Sequence, residues 1–155
     1  MPLLGPPSLK GRALRLLSGR EHSRAELERK LAAHEEEPGQ LARVLDQLQS
    51  GDFINEQRVV DSVVHRRSAK LGALRIRQEL QAKGLDSEKV QQAVAQLKAT
   101  ELARARAVWA RKFDALPTDA AERAKQARFL EARGFGSDVV RRVLSGSEPE
   151  ESGQA

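Results

Sequence analysis

The stretch GALRIRQELQAKGLDSEKVQQAVAQL, residues 72–97, predicts two helices separated by a stop. Its apolar residues lie four apart in the first half and on one stripe in the second: Ile76, Leu80, Val90, Val94 and Leu97. Gly84 lies where the first helix should end, because glycine takes the left-handed conformation after a last turn without steric cost. Short amphipathic helices of this kind are predicted along nearly the whole chain.

Start and stop signals elsewhere in the chain agree with this pattern. Ser23 to Glu26 has the form of a capping box, in which a serine and a glutamate satisfy each other's backbone amides. Asn55 and Asp119 are expected to cap two further helices. Gly134 is expected to end a helix as Gly84 does. We find no persuasive strand, so the sequence predicts an all-α protein.

Four apolar positions recur three times at the same intervals of 17, 10 and 4 residues: Leu14, Leu31, Leu41, Leu45; Val63, Leu80, Val90, Val94; Phe113, Leu130, Val140, Leu144. Such a period indicates a structural repeat. We therefore predict three tandem three-helix, helix-turn-helix-like repeats at 9–52, 53–99 and 100–145, stacked into an elongated, curved array. A single bundle with one shared core is the alternative. The acidic tail, 146–155, is predicted to be disordered.

Composition excludes several classes of protein. The chain has 155 residues, of which 39% are hydrophobic, 32% charged and only 3% aromatic, a balance that favours helices over a large β-sheet. It has no cysteine, which excludes disulfides and thiolate metal sites and fits a reducing compartment. No apolar run approaches the roughly 20 residues of a membrane span, and the first residues do not resemble a signal peptide. We expect a soluble cytoplasmic protein.

Residues with catalytic or metal-binding potential are scattered. His22, His34 and His65 match no spacing of metal ligands. The chain has no glycine-rich phosphate loop of a common type. Trp109 is expected to pack in the third repeat rather than to stack on bases. We therefore predict that the protein is not an enzyme and needs no cofactor.

The positive charge is concentrated in the last two repeats. Residues 9–52 carry eight basic and eight acidic side chains, whereas 53–99 carry nine and five, and 100–145 carry ten and six. This distribution favours an anionic partner, either nucleic acid or an acidic protein, although a merely solvated arginine-rich surface fits as well. The candidate contact residues are Arg66, Arg67, Lys70, Arg75, Arg77, Arg104, Arg106, Arg111, Lys112, Arg123, Lys125, Arg128 and Arg133.

Three motifs resemble those of a known family. LSGREHSRAEL at 17–27 resembles the opening motif of the RecX family of bacterial recombination regulators. GALRIRQEL at 72–80, with Gly84, resembles the middle motif, and RFLEARGF at 128–135 resembles the last. The three motifs occur in the family's order and at its intervals, between about Leu9 and Leu144.

The resemblance implies three tandem three-helix repeats and a partner, the filament that the RecA recombinase forms on DNA. Family members settle in the groove of this filament and inhibit the ATPase, strand-exchange and co-protease activities of RecA, in DNA recombination, DNA repair and the SOS response. We expect a monomer that contacts the filament through its second and third repeats. The acidic loop at 34–39 departs from the family pattern. The alternative is a stand-alone protein that binds single- or double-stranded DNA through the same basic repeats.

Overall fold

The computed structural model describes residues 5–146, so the predicted tail lies outside the described residues except for Gly146. Within this range the chain forms nine α-helices, a 3-10 turn at Ala32–His34 and no strand. The helices are α1 Leu9–Gly19, α2 Arg24–Leu31, α3 Gln40–Ser50, α4 Glu56–Arg67, α5 Ala73–Ala82, α6 Ser87–Ala99, α7 Glu101–Lys112, α8 Ala120–Ala132 and α9 Ser137–Ser145. The all-α prediction is confirmed.

The predicted helix starts and stops are also confirmed. The hydroxyl of Ser23 accepts a hydrogen bond from the amide of Glu26 at 3.1 Å, and the Glu26 carboxylate accepts one from the amide of Ser23 at 3.1 Å. Asn55 and Asp119 each cap a helix through the side-chain oxygen. Gly84 and Gly134 have φ angles of 69° and 88°. These local signals act over three or four residues, which is why they can be recognised in the sequence.

Each repeat has a hydrophobic core of its own. Three separate clusters of buried residues form, one from α1–α3, one from α4–α6 and one from α7–α9. This excludes the alternative of a single shared core. Of the twelve repeated apolar positions, Leu14, Val94 and Phe113 are only partly buried and the others are buried. Ile54, which precedes α4, packs into the core of the first repeat.

Consecutive repeats are joined end to end through their second helices. The amides of Gly72 and Leu74, at the start of α5, donate to the carbonyls of Arg133 and Gly134, at the end of α8, at 2.8 and 3.1 Å. In the same way the Ser23 hydroxyl, at the start of α2, donates to the Lys83 carbonyl at 2.6 Å. The carbonyls left free at the end of one helix thus accept hydrogen bonds from donors at the start of another helix.

The two ends of this row of helices differ from the junctions within it. At one end, α2 runs into the 3-10 turn and the acidic loop at 35–37, without the left-handed glycine that ends α5 and α8. At the other end, α8 starts at Ala120, three residues earlier in the repeat than α5.

Candidate binding surface

The candidate contact residues differ in their surroundings. Four of them are half-buried: Arg67, Arg104, Arg106 and Arg133. The remaining nine are exposed: Arg66, Lys70, Arg75, Arg77, Arg111, Lys112, Arg123, Lys125 and Arg128. The structure gathers four of the thirteen into one cleft and gives several others partners within the protein.

Arg104 connects the second repeat to the third. Its guanidinium group donates to the carbonyls of Ser68, Leu71 and Leu97 at 2.9, 2.8 and 2.8 Å. These carbonyls belong to the loop after α4 and to the end of α6, where helical hydrogen bonds have stopped. The fold alone therefore accounts for an arginine at this position.

Two further candidates have partners inside the protein. Arg67 forms a salt bridge of 3.2 Å with Glu79. Arg75 donates to the carbonyl of Ala132 at 2.7 Å and so joins α5 to the end of α8. These contacts explain part of the arginine content of the middle repeat without reference to a binding partner.

A cleft of about 350 Å³ opens between the second and third repeats. It is lined by Lys70, Val108, Arg111, Lys112, Phe129 and Arg133, so none of the acidic side chains within residues 5–146 lines it. The Arg133 guanidinium lies 3.6 Å above the centre of the Phe129 ring and donates to the Phe129 carbonyl at 3.0 Å. Arg111 is held by a 3.1 Å hydrogen bond to the Ala69 carbonyl. Two of the four cations are thus oriented in advance.

A second depression lies on the outer face of the third repeat. Arg123, Asp138, Arg141, Arg142 and Ser145 line it. Arg141 is paired with Asp138, which offsets part of the charge. Arg141 and Arg142 were not among the sequence candidates, although the stripe of Val140, Val143 and Leu144 would have indicated that they face away from the core.

The first junction is built around a buried carboxylate, Glu26. Its oxygens accept from Arg20 at 2.7 Å and from Lys83, in the second repeat, at 3.1 Å, in addition to the capping bond from Ser23. Burial by itself would raise the pKa of Glu26. The hydrogen bonds from Arg20, Ser23 and Lys83 outweigh this effect and lower its pKa to about 2.

Glu26→Gln should make the protein less stable at neutral pH and remove part of its acid sensitivity. A carboxylate with a depressed pKa stabilises the fold above its unfolded-state pKa, and that stabilisation is lost as pH falls towards 2. Loss of the charged hydrogen bonds should cost about 2 kcal/mol at pH 7. Urea unfolding at several pH values measures this: the gap between the two proteins should narrow from pH 4.5 downwards, and a constant gap would contradict it.

Three buried polar residues were not anticipated from the sequence: Gln126, His22 and Glu101, whose carboxylate accepts from the Ala73 amide at 2.9 Å. Gln126 occupies an otherwise apolar position of α8, and its amide oxygen accepts from Trp109 at 2.8 Å while its nitrogen donates to the Ala115 carbonyl at 3.1 Å. His22 is buried beside Arg20 and Lys30, and burial lowers its pKa. Within 5–146 no group of side chains is suited to hold a metal ion, and no helix there is long and apolar enough to cross a membrane.

Comparison with known sequences matches each repeat to a different domain of one family. The first, second and third three-helix domains of RecX match residues 10–48, 55–94 and 99–144. A regulatory protein RecX from Leptothrix cholodnii is 56% identical over 137 residues, which cover 88% of this chain and 87% of the relative. A regulatory protein RecX from Ralstonia nicotianae is 49% identical and covers 92% of this chain and 90% of the relative.

Solved structures give the same fold at much lower identity. A crystal structure of regulatory protein RecX has a TM-score of 0.74 at 20% identity and covers 88% of this chain and 71% of that one. A crystal structure of RecX from Lactobacillus salivarius also has a TM-score of 0.74, at 19% identity, and covers 89% and 93% of the two chains. Three domain matches in order, close relatives along nearly the full length and this shared fold agree: the chain belongs to the RecX family of regulatory proteins.

Proposed function

We propose that this chain is a monomeric cytoplasmic regulator that binds the RecA filament and lowers the ATPase, strand-exchange and co-protease activities of RecA in recombination, DNA repair and the SOS response. It acts by binding and not by catalysis. The observation that supports this most is the row of three similar repeats. A filament presents identical subunits at regular intervals, and a row of similar units can contact several of them at once, so that weak contacts combine into tight binding.

The direct test is the ATPase activity of RecA on single-stranded DNA, titrated with the purified chain. We expect inhibition well below one chain per RecA subunit, because each chain would occupy several subunits. Co-sedimentation should depend on filament formation, with the chain pelleting only when RecA and DNA are both present. Unchanged ATPase activity at a stoichiometric ratio would refute the proposal.

Reversing three exposed charges of the middle repeat, by Arg66→Glu, Lys70→Glu and Arg77→Glu, should weaken inhibition at least tenfold. None of the three side chains forms a salt bridge with the described residues, so helix content should stay unchanged. Loss of three surface charge pairs with the partner, each contributing up to ~1 kcal/mol, would weaken inhibition by this factor. The measurement is the concentration for half-maximal ATPase inhibition.

The matched control reverses the same number of positive charges in the first repeat. Lys10→Glu, Arg15→Glu and Arg43→Glu replace one lysine and two arginines, all exposed. If the contact lies in the second and third repeats, this control should inhibit RecA much as the parent chain does. An equal loss in both triple variants would show that net charge matters and that the middle repeat is not the contact.

The second candidate function is a stand-alone nucleic-acid-binding protein. The specific observation in its favour is the basic cleft, in which the described part of the chain places four cations and no acidic side chain. This function requires DNA binding in the absence of RecA, with an affinity that falls steeply as salt is raised.

A further inference from the structure

The repeat allows the basic cleft to be compared with its counterpart at the first junction. At the ends of the second helices the offset is 49 residues from the first repeat to the second and 50 from the second to the third, whereas the first helices α4 and α7, equal in length, are offset by 45. Lys83 and Arg133 present the carbonyls that receive the next helix start, Ser23 and Gly72 donate to them, and Gly84 and Gly134 share the left-handed conformation.

By their places in the loops and helices, the six residues that line the cleft have different counterparts at the first junction: Glu21, Val63, Arg66, Arg67, Glu79 and Lys83. There the charges compensate one another. Arg58 forms a salt bridge of 2.9 Å with Glu21, and Lys83 forms one of 3.1 Å with Glu26. The same place in the fold therefore carries two carboxylates, three cations and one apolar residue at the first junction, and four cations with two apolar residues at the second.

The fold does not require the positive charge of the cleft. At the first junction Lys83 faces Glu26, but the residues at these two places in the second junction are Arg133 and Arg75. With Arg75 in place of the carboxylate, the Arg133 guanidinium lies 3.6 Å above the centre of the Phe129 ring. The first junction forms with less positive charge than the second. The excess positive charge at the second junction therefore indicates a surface that binds a ligand.

We propose that this cleft binds one nucleotide unit of a single-stranded nucleic acid. The base stacks on the outer face of the Arg133 guanidinium, which Phe129 supports from below, and Lys70, Arg111 and Lys112 contact the adjoining phosphates. Stacked guanidinium planes and aromatic rings are the usual platforms for unpaired bases. An acidic peptide would use the same cations but would gain nothing from a flat platform, so the stacked pair favours nucleic acid.

This inference does not depend on the proposed RecA function, because the site needs no second protein. Its tests use the free full-length chain and a fluorescently labelled oligothymidylate, with binding followed by fluorescence anisotropy. Failure here would leave RecA inhibition untouched, and failure of RecA inhibition would leave this binding untouched.

The first experiment removes charge from the cleft. Lys70→Gln with Lys112→Gln should weaken oligothymidylate binding at least tenfold. The plot of the logarithm of the binding constant against the logarithm of the salt concentration should also become shallower, by about 1.4 in slope, since each phosphate contact on a single strand contributes ~0.7. The control pair, Lys10→Gln with Lys98→Gln, removes the same charge from exposed positions outside the cleft and should bind much as the parent chain does. Equal losses in both pairs would overturn the proposal.

The second experiment tests the base platform. An abasic oligonucleotide of the same length should bind roughly tenfold more weakly than oligothymidylate, because stacking of one base contributes a factor of this order or more. Arg133→Lys keeps the charge but loses the plane, so it should weaken binding of oligothymidylate and leave the abasic oligonucleotide almost unaffected. Equal binding of the two oligonucleotides by the parent chain would overturn the stacking assignment.

Two competitors distinguish other sources of the same chemistry. Thymidine monophosphate should compete only at concentrations far above those of the oligonucleotide. If it displaces the label as effectively as unlabelled oligothymidylate, the ligand is a free nucleotide and the single-strand assignment is wrong. If polyglutamate competes as well as oligothymidylate and loses affinity in the Lys70→Gln, Lys112→Gln pair, the cleft binds acidic protein and the nucleic-acid assignment is wrong.

Discussion

Gly72→Ala should loosen the third repeat from the second, because a Cβ at this position would lie 2.3 Å from the carbonyl oxygen of Gly134 and 2.5 Å from the amide nitrogen of Phe135. Both neighbours are backbone atoms, so no side chain can rotate away. Gly72 has a φ of −81°, which any residue adopts, so the contact alone is responsible. Overpacking of this kind should cost about 3 kcal/mol or more. Urea unfolding measures the loss.

The control for this substitution is Gly19→Ala. Gly19 ends α1, has nothing within 4 Å of the position that an alanine methyl group would take, and should tolerate alanine with little change in stability. Limited proteolysis of the Gly72→Ala variant should release the third repeat while the first two persist, because each repeat has its own core. Unchanged unfolding and proteolysis would show that the close approach of Gly72 and Gly134 does not hold the junction.

Leu80→Asp should unfold the middle repeat and with it both junctions. Leu80 is completely buried in the core formed by α4–α6. Truncating such a leucine costs ~2–5 kcal/mol, and an unpaired buried carboxylate adds to this, so we expect at least about 4 kcal/mol. Since α5 contacts α2 through its end and α8 through its start, its loss also separates the outer repeats. Far-UV circular dichroism should show the loss of helix.

The matched control is Leu74→Asp, in the same helix. Leu74 is 49% exposed and lies in the first turn of α5, where an aspartate interacts favourably with the helix dipole. Helix content and the urea midpoint should therefore stay close to those of the parent chain. A loss comparable to that of Leu80→Asp would mean that any aspartate in α5 disrupts the repeat and that burial is not the cause.

Much of the fold can be predicted from the sequence because it is determined locally. Ser23 caps a helix through an amide three residues away, and Gly84 ends one through its own φ, so both can be recognised without knowledge of the rest of the chain. The repeat is visible because each unit must bury residues such as Leu31, Leu80 and Leu130 at the same place. The partly buried Phe113 shows where this reasoning weakens, since it directly follows α7 instead of lying within it.

The binding surface can be predicted only in part. Arginine-rich segments indicated the second and third repeats, but a sequence does not show which guanidinium groups already have partners. Arg104 donates to two carbonyls of the loop after α4 and to one at the end of α6, whereas the Arg133 guanidinium lies over the Phe129 ring in the cleft. Both residues are candidate contact residues in the sequence. In the structure Arg104 joins two repeats and Arg133 lines the cleft, because their long-range contacts differ.

The amino-acid sequence of this RecX-family chain was therefore enough to predict three all-helical units, their caps and stops, and the excess of positive charge in the last two. The way the units join, through helix ends that meet and through the contact of Gly72 with Gly134, became visible in three dimensions. The same is true of the cleft that Lys70, Arg111, Lys112 and Arg133 share. The cause of this division is range: caps and apolar periodicity act within a few residues, whereas the cleft unites side chains up to 63 positions apart in the chain.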